Sequence, residues 1–213
     1  MRWILLLLLP VWAYATNTTV ERARPYLPVL ASIAAELTPQ VQPATTYAGQ
    51  IEQESRWKVR AELKTDREYG FGLSQCTVTK RFNCFDEMRQ SGDKTLARWQ
   101  WADRFDPAMN MRVIVLKDKQ CLRYAGGATG SDRNAMMLAC YNGGGGGLVS
   151  DKAICRAKSG CDPGRWWGNV ATTSNKSRVK WQGYGQSAFD INRQYPDNII
   201  WKFAPKYTNY MKQ

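Results

Sequence analysis

A single carboxylate followed by a glycine-rich turn is the part of this chain best equipped for chemistry. Glu54 lies in Gln53-Glu54-Ser55-Arg56-Trp57, and Gly70-Phe71-Gly72-Leu73-Ser74-Gln75 follows after a charged segment. The 213 residues include no histidine, which removes Ser-His and Cys-His nucleophile schemes and the usual catalytic metal ligands. Carboxylates remain for acid–base work. A carboxyl group can protonate the leaving oxygen of a glycosidic bond if it still holds its proton near neutral pH. Burial among apolar and aromatic groups raises a Glu pKa enough for that. Ile51, one turn before Glu54, and Trp57 nearby supply such groups. Most glycosidases use a second carboxylate. Glu52 and Glu68 are the candidates, but Glu52 projects from a different helix face than Glu54. Taken alone, Glu54 reads as a solvated helix residue.

The elements that must position these groups are mostly helical. Leu27, Leu30, Ile33, Ala34 and Leu37 share one face of a helix predicted over residues 26–37. Proline breaks the pattern between 39 and 43. A second helix is predicted over 45–56 from Tyr47, Ala48, Ile51 and Ser55, with Glu54 in its last turn. Pro107 opens a helix to residue 122 that carries Met109, Val113, Leu116 and Cys121. Another covers 132–141, capped by Ser131 or Asp132 and stopped at Asn142-Gly143. Shorter helical patterns cover 148–157, 187–194 and 198–207. Period-2 alternation is scarce, so any sheet is expected as a small hairpin around 170–182. Residues 17–24 read as a polar, mobile lead-in. The glycine run 143–147 reads alone as a linker. Trp99, Trp101, Trp166, Trp167 and Trp181 could stack on sugars, but core packing is expected for most.

Residues 1–15 carry one positive charge and an apolar run too short to span a bilayer. They end in Ala13-Tyr14-Ala15, which is the pattern of a cleaved secretory signal. The remainder, 16–213, is expected to form one domain. Export places Cys76, Cys84, Cys121, Cys140, Cys155 and Cys161 in an oxidising compartment as an even set. Cys76/Cys84 and Cys155/Cys161 look like local staples, which would leave Cys121 with Cys140, although spacing alone leaves the connectivity open. A structural zinc site is the rival reading, disfavoured by the missing His and Cys-x-x-Cys knuckles. The net charge of +12 favours an anionic partner, and for an exported protein the bacterial wall, with its lactyl and peptide carboxylates, fits best.

Four motifs occur in order: Glu54-Ser55, Gly72-Leu73-Ser74-Gln75, Ala139-Cys140-Tyr141-Asn142-Gly143-Gly144 and Asn192-Arg193-Gln194-Tyr195. Across residues 45–196 the chain resembles the soluble lytic transglycosylase domain of glycoside hydrolase family 23. That family's motifs read Glu-Ser, Gly-Leu-Met-Gln, Ala-Tyr-Asn-Ala-Gly and Arg-x-Tyr. The resemblance implies a mainly α, lysozyme-like fold with loop insertions. It implies that Glu54 is catalytic acid and then base, that Ser55 and Gln75 contact substrate, that Tyr141 lies beside the carboxylate with Asn142 shaping the turn, and that Tyr195 lines the site. The implied reaction cleaves peptidoglycan strands to 1,6-anhydromuramoyl products without metal or cofactor, in a monomer. Small enzymes of this kind open the wall for secretion, conjugation or phage machinery. Ser74 stands where the family has Met, Ile191 where it has Glu, and the 64–68 loop reads as an insertion.

Two rivals follow from the same residues. One is a muramidase on the same fold, with water as the nucleophile. The other is a wall-binding assembly protein without turnover, suggested by Ser74 and Ile191. Nucleic acid is a more distant partner, since no basic-aromatic module accompanies the charge.

Overall fold

The computed structural model describes residues 18–39, 43–181 and 185–211, so the expected signal at 1–15 lies outside the described residues. Residues 17–24, expected to be a mobile lead-in, are instead helical from Thr18: helix α1 covers Thr18–Ala23. The polar count misleads there because Val20 and Ala23 are both buried, anchoring the segment to the core. A 3-10 turn containing Pro25 leads into α2, Leu27–Leu37, whose buried residues are Leu27, Leu30, Ile33 and Ala34. Thr38 ends it by donating its hydroxyl to the Ala34 carbonyl at 3.0 Å.

Helix α3, Ala44–Ser55, begins after the extended Pro43 and is buried along most of its length. Each large apolar group such as Tyr47 or Ile51 that it removes from water contributes about 1.5–3 kcal/mol. Its C-terminus is defined by Arg56 and Trp57, both at positive φ (52° and 58°). Non-glycine residues adopt this backbone only when tertiary contacts hold them. Here the buried Trp57 indole donates to the Ala48 carbonyl at 3.2 Å and stacks on Tyr26. The chain is thereby folded back on α3, presenting Glu54 at its end.

Strands β1 (Glu62–Lys64), β2 (Glu68–Phe71) and β3 (Cys76–Thr79) then form an antiparallel sheet in the order β1-β2-β3. The hairpin expected over 170–182 is not formed by its described residues, which carry only an isolated bridge between Lys180 and Ser187 and a 3-10 turn at Val170–Thr172. The 64–68 loop read as an insertion is the connection between β1 and β2, and strands of three or four residues are too short to show alternation. Register sets Leu63 opposite Gly70 and Tyr69 opposite Val78.

Helix α4 (Cys84–Arg89) is capped by Asn83, and α5 (Pro107–Leu122) by Asp106 with Pro107 in its first turn. Helix α6 (Gly130–Gly143) and helix α7 (Gly145–Ala157) meet at Gly144, whose φ of 78° makes the joint. The glycine run is therefore a helix–helix corner and the first turn of α7, not a linker. Helix α8 (Ala188–Asp197) starts in a capping box between Ser187 and Asp190 and runs on through a π-helical turn (Asn198–Phe203) and a 3-10 turn (Ala204–Tyr207).

Three clusters make the core. One joins α1, α2, α3 and α5 with Tyr207, a second joins α6, α7 and α8 with Trp166, and a third packs Phe71 and Phe85 with Trp99 and Val113 under the sheet. Disulfides Cys76–Cys84, Cys121–Cys140 and Cys155–Cys161 tie β3 to α4, α5 to α6, and α7 to the turn after it. Only Trp99 and Trp166 of the five tryptophans singled out are fully in the core. Trp167 is half-buried against Trp201, while Trp101 and Trp181 are 45% and 48% exposed. Among the described residues the fold is mainly helical, with one small sheet and three disulfides.

Candidate active site

A cleft of about 750 Å³ opens between the sheet and the α6–α8 group. Glu54 from the end of α3 lines it, with Leu63, Glu68 and Gln75 on the sheet side and Tyr141, Asn142, Ile191 and Asn192 on the helical side. Three regions distant in sequence, 63–75, 141–142 and 191–192, therefore line one cleft with the Glu54 carboxylate.

Burial pushes the Glu54 carboxyl up to about 7, opposed by a hydrogen bond from Tyr195 and the charge of Lys117. Tyr195 lies behind the carboxylate and donates its hydroxyl to Oε1. Its ring stacks on Tyr141 with centroids 6.2 Å apart and planes within 10°. Burial and the neighbouring Glu54 carboxylate hold both phenols protonated, well above the ordinary tyrosine range. Tyr141 in turn donates to the Ser74 carbonyl at 2.8 Å, linking α6 to the glycine turn.

That turn depends on glycine. Gly72 has φ 71°, and a Cβ there would lie 2.1 Å from Asn110 Oδ1. Asn110, buried on α5, accepts from the Ser74 hydroxyl at 2.8 Å and from the Ser74 amide at 3.3 Å, and donates to the carbonyls of Arg104 and Asp106. Ser74 therefore has a specific polar partner beneath the turn. Gln75 lines the cleft while its amide donates to the Gly72 and Ala61 carbonyls at 3.0 and 3.3 Å, which fixes its orientation.

On the opposite wall Asn192 donates to Asn142 Oδ1 at 3.0 Å and to the Ala139 carbonyl at 2.9 Å. Arg193 is not a cleft residue: it is buried against Asp151 at 2.7 Å and donates to the carbonyls of Ala171 and Thr173. Asp151 also pairs with Lys176, which lines the cleft.

Two expected residues take other positions. Ser55, expected to touch substrate, is buried, and its hydroxyl donates to the Ile51 carbonyl at 3.0 Å. It shares the inward face of α3 with Ile51 one turn away. Tyr195, expected to line the cleft, supports Glu54 from behind. Glu52 faces away from the cleft, paired with Lys206 and accepting from the Tyr207 hydroxyl at 2.7 Å. Glu68 is the other carboxylate in the cleft lining.

Sequence reasoning missed Lys117, which enters the cleft from α5. A signal was present. Val113, Lys117 and Cys121 repeat at helical spacing, so Lys117 shares a face with buried residues. Among the described residues no group of three or more Cys, Asp or Glu side chains is placed to hold a metal ion.

The arrangement can present a protonated carboxyl to a bond lying in the cleft, and stabilise the carboxylate left behind through the Tyr195 hydroxyl. Neither a comparison with protein-family models nor one with curated proteins found a match to this chain.

Proposed function

We propose that this chain is a peptidoglycan lytic transglycosylase with a lysozyme-like fold. The observation that carries the reading is Glu54: a carboxyl held near pKa 7 by burial, in a cleft whose other walls bring together Gln75, Tyr141 and Asn142 from separate motifs. The helical architecture with a small sheet flanking the cleft agrees with that fold. The three disulfides suggest an oxidising location, which suits a wall enzyme exported by a signal at residues 1–15.

In this mechanism Glu54 protonates the oxygen joining N-acetylmuramoyl to N-acetylglucosaminyl units as positive charge develops at the sugar carbon. The substrate's own acetamido group stabilises that centre. The Glu54 carboxylate, steadied by Tyr195, then takes the proton of the muramoyl carbon-6 hydroxyl, and the hydroxyl oxygen closes the 1,6-anhydro ring. A pKa near the working pH suits a group that must both give and accept a proton.

Glu68 in the cleft lining favours a second reading, a muramidase in which this carboxylate activates a water. Mass spectrometry of fragments released from purified peptidoglycan by the protein and by Glu54→Gln separates the two. Fragments one water lighter than hydrolysis products, lost in the variant, are expected. Reducing-end fragments would make the protein a muramidase. Wall binding with no fragments from either protein would leave it a glycan-binding component.

A further inference from the structure

Lys117 carries more donors than the protein satisfies. Its side chain is 19% exposed and lines the cleft, with Nζ 5.1 Å from the Phe82 ring centroid and 5.5 Å from that of Tyr141. Among the described residues its nearest carboxylate is Glu87, at 3.9 Å, beyond hydrogen-bond distance. An ammonium has three N–H donors and no acceptor, and leaving them unmade in a partly dry site is costly. Burial draws Lys117 below the ordinary lysine value, while Glu87, Glu54 and Asp118 pull it back towards the charged form. The cleft's other lysine differs, because Lys176 already holds Asp151 at 3.0 Å. Lys117 thus offers a pre-oriented cation whose remaining hydrogen bonds must go to whatever occupies the groove.

Building on the proposed function, we infer that Lys117 is the specificity-determining contact of the cleft, taking the lactyl carboxylate of an N-acetylmuramoyl unit bound beside Glu54. The two sugars of the wall strand differ by that lactyl ether alone. An N-acetylglucosaminyl unit offers the ammonium only neutral hydroxyl and amide oxygens, so a chitin chain would bring no carboxylate to its charge. The carboxylate is charged where the strand bears no peptide, so bare strands are the preferred class. The aromatic rings flanking Nζ keep it in place without competing for its protons.

The test measures binding in the Glu54→Gln background, so it does not depend on turnover. Calorimetry compares a peptide-free tetrasaccharide of alternating N-acetylglucosamine and N-acetylmuramic acid with chitotetraose. The muramoyl ligand should bind about 10- to 100-fold more tightly, as a charge-assisted hydrogen bond predicts. Adding Lys117→Met should bring the two affinities together, and Lys117→Arg should restore part of the preference. Unchanged melting curves show that each variant is folded. A preference that survives Lys117→Met, or none in the parent, overturns the inference. Failure of the wild type to release fragments from peptidoglycan while the preference holds would instead overturn the proposed function.

Discussion

Glu54 is where the protein's pH behaviour concentrates. Its pKa is raised from 4.5 to about 7, so the folded state binds a proton the unfolded chain releases. The stability this contributes is complete below the unfolded value and is lost as pH rises through about 7. Glu54→Gln should therefore be more stable than the parent at pH 8, by about 3 kcal/mol at most, with the difference vanishing below pH ~4. Thermal melts across that range would reveal it, and a difference independent of pH would contradict the assignment. Activity should fall on the alkaline side as the acid loses its proton. Tyr195→Phe removes the hydrogen bond that lowers the Glu54 pKa, so its alkaline limb should move upward while kcat falls. An unmoved limb would mean that Tyr195 does not stabilise the carboxylate.

Among the elements, the turn from Gly72 to Gln75 depends most on its neighbours, since α5 supplies Asn110 beneath it. Gly72→Ala meets both a φ of 71° and a 2.1 Å contact with Asn110 Oδ1. A loss of about 2–4 kcal/mol is expected in denaturant unfolding. In an Asn110→Ala background the steric part disappears, and the additional cost of Gly72→Ala should shrink to about 1 kcal/mol. Additive costs would show that the two residues do not share one contact. Ser74→Met should also destabilise, because it removes the hydroxyl from Asn110 and adds volume at a buried site.

For the molecule as a whole, the Cys121–Cys140 disulfide joins the helix that carries Asn110 and Lys117 to the helix that carries Tyr141. Replacing both cysteines with serine should cost about 3 kcal/mol, given the length of the loop it closes. Because the bridge joins two helices that both carry cleft residues, Lys117 and Tyr141, the expected loss of activity should exceed the loss of folded protein at the assay temperature. Comparing the unfolding midpoint with the specific activity of the folded fraction tests this. Proportional losses would confine the disulfide to a general stabilising role.

Local structure was legible in the order of residues. The helices around residues 27–37, 44–55 and 107–122 were legible from apolar spacing and proline, because those signals act within one or two turns. Cysteine spacing suggested the pairs that form, and the motifs singled out Glu54, Gln75, Tyr141 and Asn142, which share one cleft. Residues 18–23 and the sheet were misread, since two buried side chains or three-residue strands leave too little pattern to detect. The inward face of Ser55 followed from its helical spacing with Ile51, whereas the places of Tyr195 behind the acid and of Lys117 and Glu68 in one groove came from the tertiary structure. Those outcomes depend on which helix faces and strand edges meet across the fold, and long-range packing, not local propensity, determines that.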